Sequence, residues 1–255
     1  MVFNTISGDD YDMIEQLHEG RNALVYRARR RTNGIPIILK ALKEIYPLPE
    51  RIALFRREYE IMRSLVMAGV PRVYSLETNQ RRWFLTMEDT RGESLTRLGL
   101  AGNLSLGRFL DLAIQMVTVL GNIHRRRVIH RDINPSNVIF SPATRQVRLI
   151  DFGLATMLSQ EDQTFQNPAL LEGTLAYMSP EQTGRMNRSI DYRTDFYSLG
   201  VTWYELLTGQ LPFASPDALE LIHSHIARSP PPHTNSWMLS IPTRWRFTGR
   251  FLPSS

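Results

Sequence analysis

The sequence predicts an α+β chain in two lobes, the first built mainly of strands and the second mainly of helices. Three observations carry this. Residues 11–46 read as short strands with turn signals between them, and two more strands follow a single helical stretch that starts at Arg51. A short polar connector, "DTRGES" at 89–94, then marks a lobe boundary. Beyond it the pattern is dominated by long helices, the first opening at about Ser105. At 255 residues the chain is long enough for one large domain or two lobes. A chain of that size buries roughly 70 to 75% of its extended surface.

Taken in order, "YDMIEQLHEG" and "ALVYRARR" are strands, followed by a turn at Thr32-Asn33-Gly34 and the strand "IPIILKAL", which carries Lys40. From Arg51, Leu54, Ile61 and Leu65 line one helix face, and Glu58 falls inside that stripe. A carboxylate on an apolar face needs a partner. Glu60 lies on the polar side with Arg56, Arg63 and Ser64, where water satisfies it. "RVYSLETN" and "RRWFLTME" are the next strands. Phe109, Leu112, Ala113, Met116, Leu120 and Ile123 then follow a 3.6-residue period and predict a helix burying one face. Strands at 137–140 and 147–150 are joined by a Ser-Pro-Ala-Thr turn. Asp132 precedes the first and Asp151 follows the second, so both project from the same end of the hairpin. Residues 154–181 lack a clean period and read as a long functional loop. "TDFYSLGVTWYELLTG" is an apolar helix closed by Thr208-Gly209, and "SPDALELIHSHIA" opens with a Ser cap and a Pro.

Composition narrows the function classes. The chain has no cysteine, which excludes disulfides, thiolate nucleophiles and Cys-ligated zinc. It is 42% hydrophobic and 22% charged, and shows no apolar run near the ~18 to 20 residues of a membrane span. The N-terminus lacks the basic start and apolar core of a signal peptide, so a cytoplasmic location is expected. The formal charge is +5, and the clusters "RARRR" at 27–31 and "HRRR" at 124–127 read as a solvated electropositive rim. No aromatic-interleaved basic stripe accompanies them, so no nucleic-acid partner is expected.

Phosphoryl transfer from a nucleotide needs a lysine on the phosphates, a group that holds that lysine, oxygen ligands for magnesium, and a carboxylate to receive the attacking hydroxyl's proton. Lys40, Glu58, Asn137 with Asp151, and Asp132 offer these in turn. Around them stand "HRDINPSN" at 130–137, "DFG" at 151–153, "GTLAYMSPE" at 173–181 and "DFYSLG" at 195–200. In these motifs the chain resembles a eukaryotic-type serine/threonine protein kinase domain over about residues 10–230. Each motif alone is weak, and their shared order and spacing are specific. The wording "HRDINPSNVIF" with "EGTLAYMSPEQTGRMNRSIDYRTDFYSLGV" is similar to the N-terminal kinase domain of large bacterial hybrid Ser/Thr kinase–histidine kinase sensors, which implies neighbouring sensor and ATPase-like modules.

The resemblance implies a bilobal protein-kinase fold: a small β-rich N-lobe with one main helix over 1–88, a hinge at 89–94, a larger, mostly helical C-lobe over 95–232, and an irregular tail at 233–255. It implies ATP and Mg2+, and a protein substrate presenting Ser or Thr beside Thr174. Asp132 is expected as the base, with Lys40 and Asn137 as its catalytic partners and Asn137 and Asp151 on the metal. The nucleotide pocket is expected from Leu17, Gly20, Val25, Ile38, Lys40, Glu58, Met87, Glu88, Asp89 and Glu93. Asp195 is expected to bond the catalytic-loop backbone, and His130 to be a packed structural histidine. Thr164 is a candidate regulatory phosphosite facing Arg131, while Thr156 and Ser159 read as solvated. His223 and His225, two apart on a helix, read as surface residues.

The chain departs from the family pattern in places. Only Gly20 stands where the family usually has three glycines, and Ile38 replaces an alanine over the adenine ring, so weaker nucleotide binding is expected. Asn134 replaces a lysine and reads as a weakened phosphate contact, which predicts a rate lower by roughly 10² to 10³ and a gain for Asn134→Lys. Two functions therefore compete: ATP-dependent phosphorylation of protein Ser/Thr, and a weakened kinase-fold module that binds nucleotide or a partner. The presence of Lys40, Glu58, Asp132, Asn137 and Asp151 together favours the enzyme. Small-molecule phosphotransferases of related fold lack the "GT..Y..PE" segment. Beyond Pro232 no apolar period and no acidic residue is found, which predicts that the closing helices are missing through truncation or a frame shift, leaving Glu181 unpaired and apolar surface near 195–209 exposed.

Overall fold

A five-stranded antiparallel sheet in the order β1-β2-β3-β5-β4 forms the N-terminal half, from β1 (Tyr11–Glu19), β2 (Ala23–Arg30), β3 (Pro36–Leu42), β4 (Val73–Asn79) and β5 (Arg82–Glu88). The computed structural model describes residues 10–79, 81–158, 175–185 and 189–231. Expectations for Ser159, Thr164, Thr174 and the tail lie outside these residues. The strand period of two separates the faces of the sheet. Tyr26, Ala28, Ile37, Leu39, Ala41 and Phe84 share a buried cluster on one face. Val25, Ile38 and Lys40 alternate with them and face the other way, with Val25 opposite Lys40 and Ile38 opposite Met87.

Helix α1 (Pro49–Ser64) starts with a proline in its first turn and Glu50 beside the N-terminal dipole, and buries Phe55, Glu58, Ile61 and Met62. The linker follows, with its short strand β6 (Glu93–Ser94) paired to β8 (Val138–Ser141), which pairs in turn with β9 (Gln146–Leu149). Gly92 lets the linker lie against β8: a Cβ there would fall 2.5 Å from Ile139 Cγ2 and 2.8 Å from the Phe140 carbonyl oxygen.

Helix α2 (Leu106–Arg125), N-capped by Ser105, buries Phe109, Leu112, Ala113, Met116, Val119, Leu120 and Ile123. Contrary to the expectation of no such run, this 20-residue helix is long and apolar enough by length and composition to cross a membrane. Its core face packs into a cluster that joins both halves, from Phe55, Ile61 and Leu85 to Val138, Phe152 and Leu199. Strand β7 (Val128–Ile129) pairs with β10 (Thr156–Met157), so Thr156 is a buried strand residue and not a solvated one.

Helix α3 (Arg193–Thr208) ends at Gly209, whose φ of 75° suits the left-handed C-cap. Helix α4 (Ala218–Ala227) is capped by Asp217, which accepts from the Leu219 and Glu220 amides. The expected Ser215 instead accepts from the Asp217 amide. His225 is buried against Tyr197 and Phe213, so the surface reading fails for it. Side chains two apart on a helix point about 200° apart, and α4 buries the His225 side.

Candidate active site

Lys40 leaves the underside of β3 and donates to both carboxylate oxygens of Glu58, at 2.7 and 2.9 Å. Here is the partner that a carboxylate on an apolar helix face requires. The same ammonium donates to Asp151 Oδ1 at 2.9 Å, which ties the sheet to the hairpin of the helical half. Burial alone would lower the Lys40 pKa, but the Asp151 and Glu58 carboxylates outweigh it and raise it. Burial likewise pushes the Asp151 carboxyl up, and the Lys40 ammonium with the Gly153 amide brings it below its ordinary value. Asp151 has φ of 65°, a conformation costly for a non-glycine residue and common at functional sites.

Asp132 sits in the loop between β7 and β8 with both carboxylate oxygens engaged. Asn134 Nδ2 donates to Oδ1 at 3.0 Å, and Asn137 Nδ2 donates to Oδ2 at 2.8 Å. Burial first, and then the Asp151 charge, push the Asp132 carboxyl up to about 7 against these amide donors and Lys40. Asn134 also accepts from the Ser136 amide at 2.9 Å, so its side chain is turned toward Asp132 and its own turn. That differs from the weakened phosphate contact expected of it: an amide is short enough to close an Asx turn and cap Asp132 together.

The loop itself is held from behind. Buried Asp195 of α3 accepts from the His130 and Arg131 amides at 2.9 and 2.7 Å. His130 is fully buried against Phe152, with Nε2 3.1 Å from the Ile150 carbonyl. Burial depresses its pKa, as suits a structural imidazole.

The remaining candidates divide into those on the cleft side of the sheet and those whose side chains turn elsewhere. Leu17 and Gly20 flank the β1–β2 turn, Val25 and Ile38 share the Lys40 face, and Met87 is buried in the joint core. Glu88 directs its carboxylate to Arg148 of β9 and to the Arg72 amide. Asp89 is closed off by Arg27 Nε at 3.0 Å and the Arg91 amide at 2.8 Å. Glu93 is paired with Arg97 at 3.1 Å. These three carboxylates serve arginines in this structure.

The chain matches the protein kinase domain over residues 11–242. It belongs to the protein kinase family. It is 32% identical over 247 residues to serine/threonine-protein kinase pkn3 of Myxococcus xanthus, covering 92% of this chain and 43% of that protein. It is 33% identical over 235 residues to serine/threonine-protein kinase PknA of Mycobacterium tuberculosis, covering 89% and 53%. For the DNA damage-responsive serine/threonine-protein kinase RqkA of Deinococcus radiodurans the figures are 32% over 226 residues, 87% and 33%. The chain thus spans between a third and about half of the length of these relatives.

Within this kinase domain, sequence reasoning missed three contacts. Thr194 donates to Glu181 at 2.7 Å, a neutral hydroxyl partner and not the arginine whose absence was expected. Thr202, whose hydroxyl donates to the Ser198 carbonyl of its own helix at 2.8 Å, lies 3.4 Å from the Ile133 carbonyl, and Gln182 donates to the Arg131 carbonyl at 2.9 Å. Only the last had a readable signal, the Ser179-x-x-Gln182 spacing of a capping box, which the structure forms.

Proposed function

We propose that this kinase domain transfers the γ-phosphoryl group of ATP to serine and threonine hydroxyls of proteins, with Mg2+ as the metal. The observation that carries this reading is the convergence of Lys40, Glu58 and Asp151 on one side of the cleft with Asp132 and Asn137 on the other. No member of the set is missing, so a weakened binding module is the less favoured reading.

The residues fit a nucleotide and a divalent ion. Asn137 spends its N–H on Asp132, which leaves its carbonyl oxygen as a hard ligand. Asp151 is 42% exposed and offers a second oxygen beyond the one Lys40 holds. Among the described residues no cluster of three or more acidic or histidine side chains forms a metal cage. Two protein oxygens suit an ion that also takes phosphate oxygens and water. When bound, the nucleotide supplies the phosphoryl group and the metal neutralises its charge. Glu58 orients the Lys40 ammonium toward the phosphates. Asp132 takes the proton from the attacking hydroxyl at its carboxylate, while Asn134 and Asn137 fix the direction of that carboxylate. Leu17, Val25, Ile38 and Met87 would exclude water around the adenine ring, and the lobes run over 1–88 and 95–232 about a linker at 89–94.

The finer likeness to hybrid sensor kinases would place further modules beside this domain, and the lack of a signal-peptide pattern at the N-terminus supports a cytoplasmic location. The function is tested by incubating the chain with ATP, Mg2+ and a generic basic protein and locating phosphate by mass spectrometry. Asp132→Asn should abolish transfer with nucleotide affinity nearly intact, while Lys40→Ala should weaken both. Wild-type rates from Asp132→Asn would refute the assignment.

A further inference from the structure

We infer that Gln182 is a positioning residue for Asp132, fixing the peptide between Arg131 and Asp132 from the segment at 175–183. This rests on the reading of Asp132 as the base. Arg131 holds φ of 67°, a left-handed conformation that is costly for a non-glycine residue and persists only where its surroundings over-determine it. Two buried backbone contacts contribute to this. The Arg131 N–H donates to Asp195 Oδ1 at 2.7 Å, and its C=O accepts from Gln182 Nε2 at 2.9 Å. The carbonyl belongs to the peptide that leads directly into Asp132. The other end of that peptide, the Asp132 N–H, makes a longer bond of 3.4 Å to His130 Nδ1, so the Gln182 bond is the short contact that sets the plane of the peptide and with it the direction of the carboxylate.

Gln182 is itself held firmly. Its Oε1 accepts from the Ser179 amide at 3.1 Å and the Ser179 hydroxyl at 3.0 Å, within the short 3-10 helix Pro180–Thr183. Ser179 is fully buried and Gln182 nearly so. One amide therefore has two separable ends: the oxygen closes the cap, and the nitrogen reaches the catalytic loop. The preceding 3-10 turn, Leu175–Tyr177, packs on α4 through Leu175 and on α3 through the Tyr177–Glu205 bond. The segment at 175–183 and the loop carrying Asp132 thus share one connection. A peptide that seats against residues 175–183 would act on a base whose direction that same segment sets.

Gln182→Glu separates the two ends. A carboxylate still accepts from Ser179 but has no proton for the Arg131 carbonyl. The experiment measures steady-state phosphorylation of a basic protein at saturating substrate, with the KM for ATP and the melting temperature, for wild type, Gln182→Glu, Gln182→Met and Ser179→Ala. The expected result is a kcat about 10- to 100-fold lower in both Gln182 variants, with KM for ATP unchanged and a smaller loss in Ser179→Ala, which retains the link. Wild-type kcat in Gln182→Glu would overturn the inference. So would an equal loss in Ser179→Ala, since the cap and not the link would then be responsible. Wild-type transfer in the same assay separates these outcomes from failure of the kinase reading, in which the wild type itself would transfer nothing.

Discussion

Glu58, at residue scale, shows what a single sequence can disclose. Its place in an apolar helix stripe demands a cation, and Lys40 stands 2.7 Å away. Asn134 shows what it cannot. Substitution of a lysine says that a charge is lost, whereas the direction of the amide depends on the turn it closes with Ser136 and on Asp132. The expected gain from Asn134→Lys gives way to a different prediction. Asn134→Leu, similar in volume but without a donor, should lower kcat about tenfold, the loss of one hydrogen bond to a charged group, and leave the KM for ATP unchanged. Asn134→Lys abandons both amide contacts and should not exceed wild-type turnover. Steady-state kinetics of the two variants check this.

Periodicity at element scale made α2 legible, because Phe109, Leu112, Met116, Leu120 and Ile123 fall on the side that is buried. The opposite side was not legible, since Leu110, Ile114 and Val117 are apolar yet 47, 65 and 43% exposed. Leu120→Ala should cost about 2 to 5 kcal/mol and Ile114→Lys less than about 0.5 kcal/mol, by denaturant unfolding. Helix α4 carries a pH dependence. Burial pushes the His225 imidazole from 6.5 down to about 4, beside its bond to Tyr197. The unfolded chain therefore binds the proton more tightly. Stability is full above the unfolded value near 6.5 and is lost as pH falls toward 4. Between about pH 7 and pH 5 the loss is about 2 kcal/mol, and His225→Gln should remove that share of the decline in thermal scans. The His223/His225 spacing fixed that the two point apart, but which one is buried depends on Phe213 and Tyr197, far away in sequence.

The two halves of the molecule meet through a shared core and the Lys40–Asp151 contact, and the site exists only where they meet. Motif order disclosed that meeting because each motif ends an element at the cleft. It did not disclose what stabilises the loop between them: Gln182 is an ordinary polar residue until folding brings it under the Arg131 carbonyl. The linker carboxylates are a similar case, since only the folded sheet edge shows that Arg27 and Arg97 engage Asp89 and Glu93. On the proposed function, this assembly moves a phosphoryl group to a protein hydroxyl with Asp132 as the base. Its most direct test is phosphoamino-acid analysis of a basic protein incubated with labelled ATP, Mg2+ and either the wild-type chain or Asp132→Asn. The expected products are phosphoserine and phosphothreonine with the wild type and none with the variant; equal labelling by both chains, or labelling mainly on tyrosine, would contradict the role of Asp132 and the Ser/Thr specificity.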